Sequence, residues 1–140
     1  MPNAIKWDQS ASFTSRITTG LDSLADGSGV DSSAVDNATD LDQYIDVSLI
    51  LGSSNPSGSP FWEIHILPRL GDGSSYADPN AGTLVGTIPV DIGSSTKEGM
   101  LRRVEIPPGH YKIRAVNRMG VANAASGNTL STRPLNDEVQ

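Results

Sequence analysis

A two-residue alternation of apolar and polar positions becomes regular at residue 44. In Tyr44-Ile45-Asp46-Val47-Ser48-Leu49-Ile50-Leu51, one face carries Ile45, Val47, Leu49 and Leu51, and the other carries Tyr44, Asp46, Ser48 and Ile50. Successive side chains of a strand point to opposite faces, so this is a strand buried on one side. Phe61-Trp62-Glu63-Ile64-His65-Ile66-Leu67-Pro68 repeats the pattern, with Trp62, Ile64 and Ile66 predicted to face inward. Thr83 to Val90 is a third predicted strand; Pro89 lacks an N–H and suits the end of an edge strand. Met100 to Ile106 sets Met100, Arg102, Val104 and Ile106 against Leu101, Arg103 and Glu105. His110 to Asn117 and Asn128 to Arg133 supply two more strands.

The first 40 residues are less regular. Ser12 to Thr19 reads as an extended segment, and Val30 to Val35 as a short strand. Leu21 and Leu24, three apart, suit one helical turn, with Thr19 to cap it and Gly27 to end it. Between the strands lie Gly/Ser/Asn/Pro stretches at 52–60 and 71–75, and the sharp Pro107-Pro108-Gly109 turn. Tyr111, just inside the strand after that turn, fits two structural roles. One is the tyrosine corner of immunoglobulin-like sandwiches, where the phenol bonds nearby backbone; the other is an amphipathic ring packed at a strand end.

The 140 residues fit one domain, and 14 Gly with 9 Pro favour many short strands over helices. The expected architecture is all-β: a single antiparallel β-sandwich, jelly-roll or immunoglobulin-like, over residues 21–135. An extended N-terminal arm over 1–20 and a tail over 136–140 flank it. Cys is absent, which removes disulfides and thiolate metal sites. No apolar run reaches the roughly 20 residues of a membrane span, and the first residues lack a signal-peptide core. A soluble protein made in a cytoplasm is expected.

Charge is distributed unevenly: residues 1–50 carry a net −6, residues 51–96 a net −3, and residues 97–140 a net +3. An overall −6 argues against sequence-independent nucleic-acid binding, which needs Lys and Arg to meet phosphates. The bases gather at Lys97, Arg102, Arg103, Lys112, Arg114 and Arg118. They form either a positive patch for an acidic neighbour or solvated strand charges that discourage edge-to-edge aggregation.

No catalytic constellation emerges. Asp36, Asn37, Asp40 and Asp42 offer oxygens for Ca²⁺ but lack EF-hand spacing, and turn formation accounts for them. His65 and His110 fall on separate strands, outside any zinc-type spacing. There is no Gly-x-Ser-x-Gly elbow and no phosphate-cradling Gly-rich loop. Glu63 and Glu105 could in principle form a glycosidase pair, but alternation already explains both as outward polar positions. Tyr76 is the one loop aromatic suited to an exposed sugar platform. Asn37-Ala38-Thr39 has the form of a glycosylation acceptor, which has meaning only on a secretory route. Neither a catalytic residue, nor a metal, nor a cofactor is assigned.

Several segments together resemble a group of small virion structural proteins of tailed bacteriophages. They are Leu21-Asp-Ser-Leu-Ala-Asp-Gly-Ser28, Asp36-Asn-Ala-Thr-Asp-Leu-Asp-Gln-Tyr44 running into Val47-Ser-Leu-Ile-Leu51, Ile106-Pro-Pro-Gly109, and Ala125-Ser-Gly-Asn-Thr-Leu130. The likeness spans roughly residues 13–135. It implies a β-sandwich in the particle, with capsid decoration, or cement, as the favoured role. On that reading a homo-oligomer, for instance a trimer, clamps the major capsid protein and other virion subunits after assembly in the host bacterial cytoplasm. Lys97, Arg102, Arg103, Lys112, Arg114, Arg118, Trp7 and Phe13 are then the candidate subunit contacts, with no nucleic acid or membrane involved. The alternatives are a tail or connector component and a host-glycan binding module of the virion.

Overall fold

The computed structural model describes residues 5–7 and 12–139. Among the described residues eleven strands follow one another: β1 (Ile5–Trp7), β2 (Thr14–Ile17), β3 (Gly29–Asp31), β4 (Val35–Asp36), β5 (Tyr44–Leu51), β6 (Phe61–Pro68), β7 (Leu84–Pro89), β8 (Lys97–Glu105), β9 (His110–Arg118), β10 (Thr129–Leu135) and β11 (Asp137–Val139). One sheet has the order β2-β10-β5-β8, and the facing sheet has the order β3-β9-β6-β7 with β4 also on β9. Every pairing is antiparallel. With β3 and β4 taken as one interrupted strand, eight strands form two four-stranded layers in the order of a jelly roll, the chain changing layer at every step except the β6–β7 hairpin. That decides between the two sandwich types the sequence allowed.

The inward faces of β5 and β6 are those the alternation predicts. Val47, Leu49 and Leu51 meet Trp62, Ile64 and Ile113 in one fully buried core. Each such aliphatic side chain contributes roughly 1.5–3 kcal/mol by leaving water. For a chain without disulfides, that burial is the main stabilising term.

β8 departs from the predicted alternation. Asp46 on β5 is skipped in the pairing register, and Arg103 opposite it adopts φ +53°. This bulge turns the strand over, so Leu101 and Val104 face inward while Met100 and Arg102 are exposed. Asp46, only 2% exposed, is stabilised by the Arg103 N–H (3.1 Å) and the Arg133 guanidinium (2.9 Å).

The expected helical turn is a single 3-10 turn at Thr19–Leu21, with Leu21 fully buried and no side-chain cap at its start. The predicted strand at 30–35 splits in two, because Ser32 leaves the ladder and its hydroxyl accepts the Ile113 N–H (3.0 Å). Residues 14–17, expected in the arm, are β2, paired with β10. The remainder of that arm, residues 1–4 and 8–11, lies outside the described residues, as does the last tail residue, while β1 pairs with β11.

Buried asparagines hold the irregular loops. Asn117 donates to Leu24 O (2.8 Å) and Val121 O (2.9 Å) and accepts from Met119 N–H. Asn128 donates to Ala124 O and accepts from Gly52 N–H. Near the opposite end, Asn37 donates to Asp42 O and Pro107 O and accepts from Asp42 N–H. Beside it Tyr111 packs as a buried ring, and Asn37 ties the Pro107 turn.

Candidate functional site

The outer face of the β3-β9-β6-β7 sheet is set by the same alternation that fills the core. With Trp62, Ile64 and Ile66 inward, β6 sends Phe61, Glu63 and His65 outward, and β9 sends Lys112, Arg114, Val116 and Arg118 beside them. The register places Glu63 opposite Val116 and His65 opposite Arg114. The loop that leads into β7 folds back over this face, where Thr83 O accepts the Ile66 N–H (2.9 Å). The result is an open cleft of about 390 Å³ lined by Glu63, His65, Asn80, Arg114 and Arg118, with Gly27 and Gly29 along one wall.

The glycines keep that wall low. A Cβ at Gly29 would stand 3.2 Å from both Arg114 Cδ and Val116 Cγ2. Gly27 has φ +79°, a left-handed conformation that L side chains rarely adopt, and its N–H donates to Asn117 O at 2.7 Å.

Every charged group in the cleft has a partner. Arg114 binds Asp31 with both Nε and Nη2, the second bond 3.0 Å long. Asp31 thereby raises the Arg114 pKa above its already high ordinary value. Arg118 Nε donates to Glu63 Oε1 at 3.2 Å, and the other oxygen of Glu63 lies 3.4 Å from His65 Nε2. His65 Nδ1 is 2.8 Å from the Thr83 hydroxyl, which itself donates to Asn80 O at 2.8 Å. Asn80 is fixed in turn: its Oδ1 accepts the Gly82 N–H (2.7 Å). The cleft is therefore rigid and electrically matched, with carboxylate acceptors next to guanidinium donors.

The other residues singled out in the sequence lie elsewhere. Lys97 is corrected most sharply: it is 5% exposed, and its ammonium donates to the carbonyls of Ser54, Gly93 and Ser95, so it cannot serve as an exposed contact. Arg102 is exposed on β8, and Arg103 stacks over the Tyr44 ring at 4.5 Å. Phe13 is 37% exposed beneath the Arg133 guanidinium, and the side chain of Trp7 lies outside the described residues. The Tyr76 ring is covered on one face by Lys112 Nζ at 4.7 Å and is not part of the cleft. Glu105 lines a different depression on the other sheet, so Glu63 and Glu105 do not converge. His110 approaches Asp36 (3.7 Å), far along β9 from His65.

Asp36, Asp40 and Asp42 share a small cavity with Tyr111, but Asp36 accepts from Ala38 N–H and Asp42 from Asn136. Among the described residues no group of three or more acids, histidines or cysteines is arranged around a metal position. Asn37 is 2% exposed and uses both ends of its amide, so it is not accessible as a glycosylation acceptor.

No protein-family model matches the chain, and no curated protein does. Among solved structures, the CBM36-1 domain of a multidomain xylanase from the hindgut metagenome of Trinervitermes trinervoides is similar. Its identity is 17% and the TM-score 0.45, over 95% of this chain and 93% of that one. The likeness is one of fold. The expectation of a capsid-decoration protein is withdrawn: no virion family model and no curated virion protein matches the chain. Three bases assigned to shell contacts, Lys97, Arg114 and Arg118, are moreover engaged within the chain.

Proposed function

We propose that this chain is a non-catalytic carbohydrate-binding domain that takes a neutral oligosaccharide in the cleft across β6 and β9. The observation that carries the reading is the matched set Glu63–Arg118, Asp31–Arg114 and His65–Thr83 on one open sheet face. A sugar hydroxyl donates and accepts at once, and neighbouring hydroxyls suit a carboxylate oxygen set beside a guanidinium N–H. Two guanidinium groups against two carboxylates leave no surplus positive charge for a phosphate, sulfate or uronate. The cleft volume lies within the range of ligand sites, and its open ends suit a chain better than an enclosed small molecule. Binding without turnover is proposed because Glu63 and Asp31 are both held by arginines, and among the described residues no second carboxyl lines the cleft opposite Glu63.

The test is a panel of immobilised neutral glycans, followed by titration calorimetry of each one retained. Glu63→Gln removes the charge that orients Arg118 and should weaken binding about tenfold or more, a loss typical of a hydrogen bond to a charged group. Glu105→Gln, on the other sheet, should bind as the unaltered chain does. Retention of no glycan, or equal affinity in the Glu63 variant, would refute the reading.

A further inference from the structure

Next to the polar cleft, on the same sheet face, lies a second depression of about 600 Å³, built from Pro60, Phe61, Thr87, Pro89, Val90 and Ile92. Phe61 and Glu63 are two residues apart on β6, so they point the same way at a separation of about 7 Å. Phe61 pairs across the sheet with Arg118 on one side and Pro89 on the other, and Glu63 pairs with Thr87. Arg118 and Glu63 line the cleft, while Phe61, Thr87 and Pro89 line the second depression. The two depressions therefore adjoin along β6 and offer the polar half and the apolar half of one candidate groove. The apolar half is fixed in place, since the Val90 N–H donates to Pro60 O at 3.1 Å. Folding does not account for its exposure: Phe61 is only half-buried, and Ile92 is 66% exposed.

We infer that the groove holds one continuous neutral oligosaccharide, with Phe61 as the platform under the sugar units that extend beyond the polar cleft. This rests on the carbohydrate reading above and extends it to chain length. A pyranose has polar edges, which suit Glu63, Arg118 and Arg114, and apolar C–H faces, which suit an aromatic ring. A single sugar pair fills the polar half alone; a longer chain reaches the shelf. The domain should therefore distinguish long chains from short ones, and Phe61 should be the residue that does so. A charged chain gains nothing from the shelf, whose lining adds only Asp91.

The experiment compares affinities for disaccharide and hexasaccharide members of three neutral series: cellobiose and cellohexaose, mannobiose and mannohexaose, and maltose and maltohexaose. In the unaltered chain the hexasaccharide of the preferred series should bind about tenfold more tightly than its disaccharide, an increment in line with one aromatic contact. Phe61→Ala should bring that ratio close to one, and Phe61→Tyr should restore it. Glu63→Gln should weaken both lengths alike, and Ile50→Ser, on the opposite sheet, should leave the ratio as it was. Unchanged tryptophan emission checks that each variant is folded. A ratio unaffected by Phe61→Ala, with Glu63→Gln still damaging, would overturn the shelf and leave the polar cleft standing. Failure of the unaltered chain to bind any of the three series would overturn both.

Discussion

Lys97 is a cation enclosed by main-chain oxygens, and its three carbonyl partners fasten the loop after β5 to the loop before β8. Lys97→Met keeps most of the stem but strips those carbonyls of their donor. It should lower stability by about 2–4 kcal/mol in chemical denaturation, since buried acceptors left unpaired cost roughly 1–3 kcal/mol each with partial relief by water. Tyr111 gives a second test. Burial pushes its phenol up from the ordinary 10.0 to about 12, with Asp42 adding to the rise and Arg16 opposing it. A pKa raised by folding adds stability that is complete below the unfolded value and is lost as pH climbs through the folded one. The urea midpoint should therefore fall between pH 10 and about 12, and Tyr111→Phe should flatten that decline. Residues of this kind are poorly legible in a sequence. Lys97 sits in Ser95-Thr96-Lys97-Glu98, which reads as solvated surface, and only the distant Ser54 and Gly93 carbonyls make it a buried staple.

At the scale of elements, strict alternation defines a strand whose two faces differ throughout. The bounds of β5 and β6 are thus readable to the residue, and their inward sets follow. β8 escapes the pattern because alternation assumes an unbroken pleat, and the Asp46–Arg103 bulge reverses the faces halfway along. The same bulge predicts a contrast between neighbours. Asp46→Ala removes a buried acceptor shared by Arg103 N–H and Arg133, and should cost about 2–3 kcal/mol. Arg102→Ala, one residue from the bulge but exposed, should change stability by less than about 0.5 kcal/mol. Thermal unfolding of the pair tests this directly; similar losses would mean that the bulge is not held by Asp46. The cleft was legible in part. Alternation puts Glu63 and His65 on the outward face, and Arg114 and Arg118 stand out as bases in the sequence. Their partners Asp31 and Thr83 come from segments distant in sequence, and local pattern does not show which strands become neighbours, so the matching of charges could not be read.

Across the whole molecule, the jelly roll separates what the sequence grouped. Lys112, Arg114 and Arg118 share one sheet with Glu63, Arg102 and Arg103 lie on the other, and Lys97 is inside. The base-rich final third is thus no single positive patch, because neighbouring β8 and β9 belong to opposite layers. Which strands share a layer depends on contacts far apart in sequence, such as β2 with β10, and local pattern carries no trace of them. A jelly roll serves shells, lectins and enzymes alike, so the functional account rests on the β6–β9 face and not on the fold. Chemical-shift mapping tests that claim most directly: ¹⁵N-labelled protein is titrated with the neutral oligosaccharide that binds best. The account predicts that the largest saturable shifts fall on Glu63, His65, Asn80, Arg114 and Arg118, and reach Phe61 with the longer chain. Shifts confined to the β5–β8 sheet, or none at saturating sugar, would contradict it.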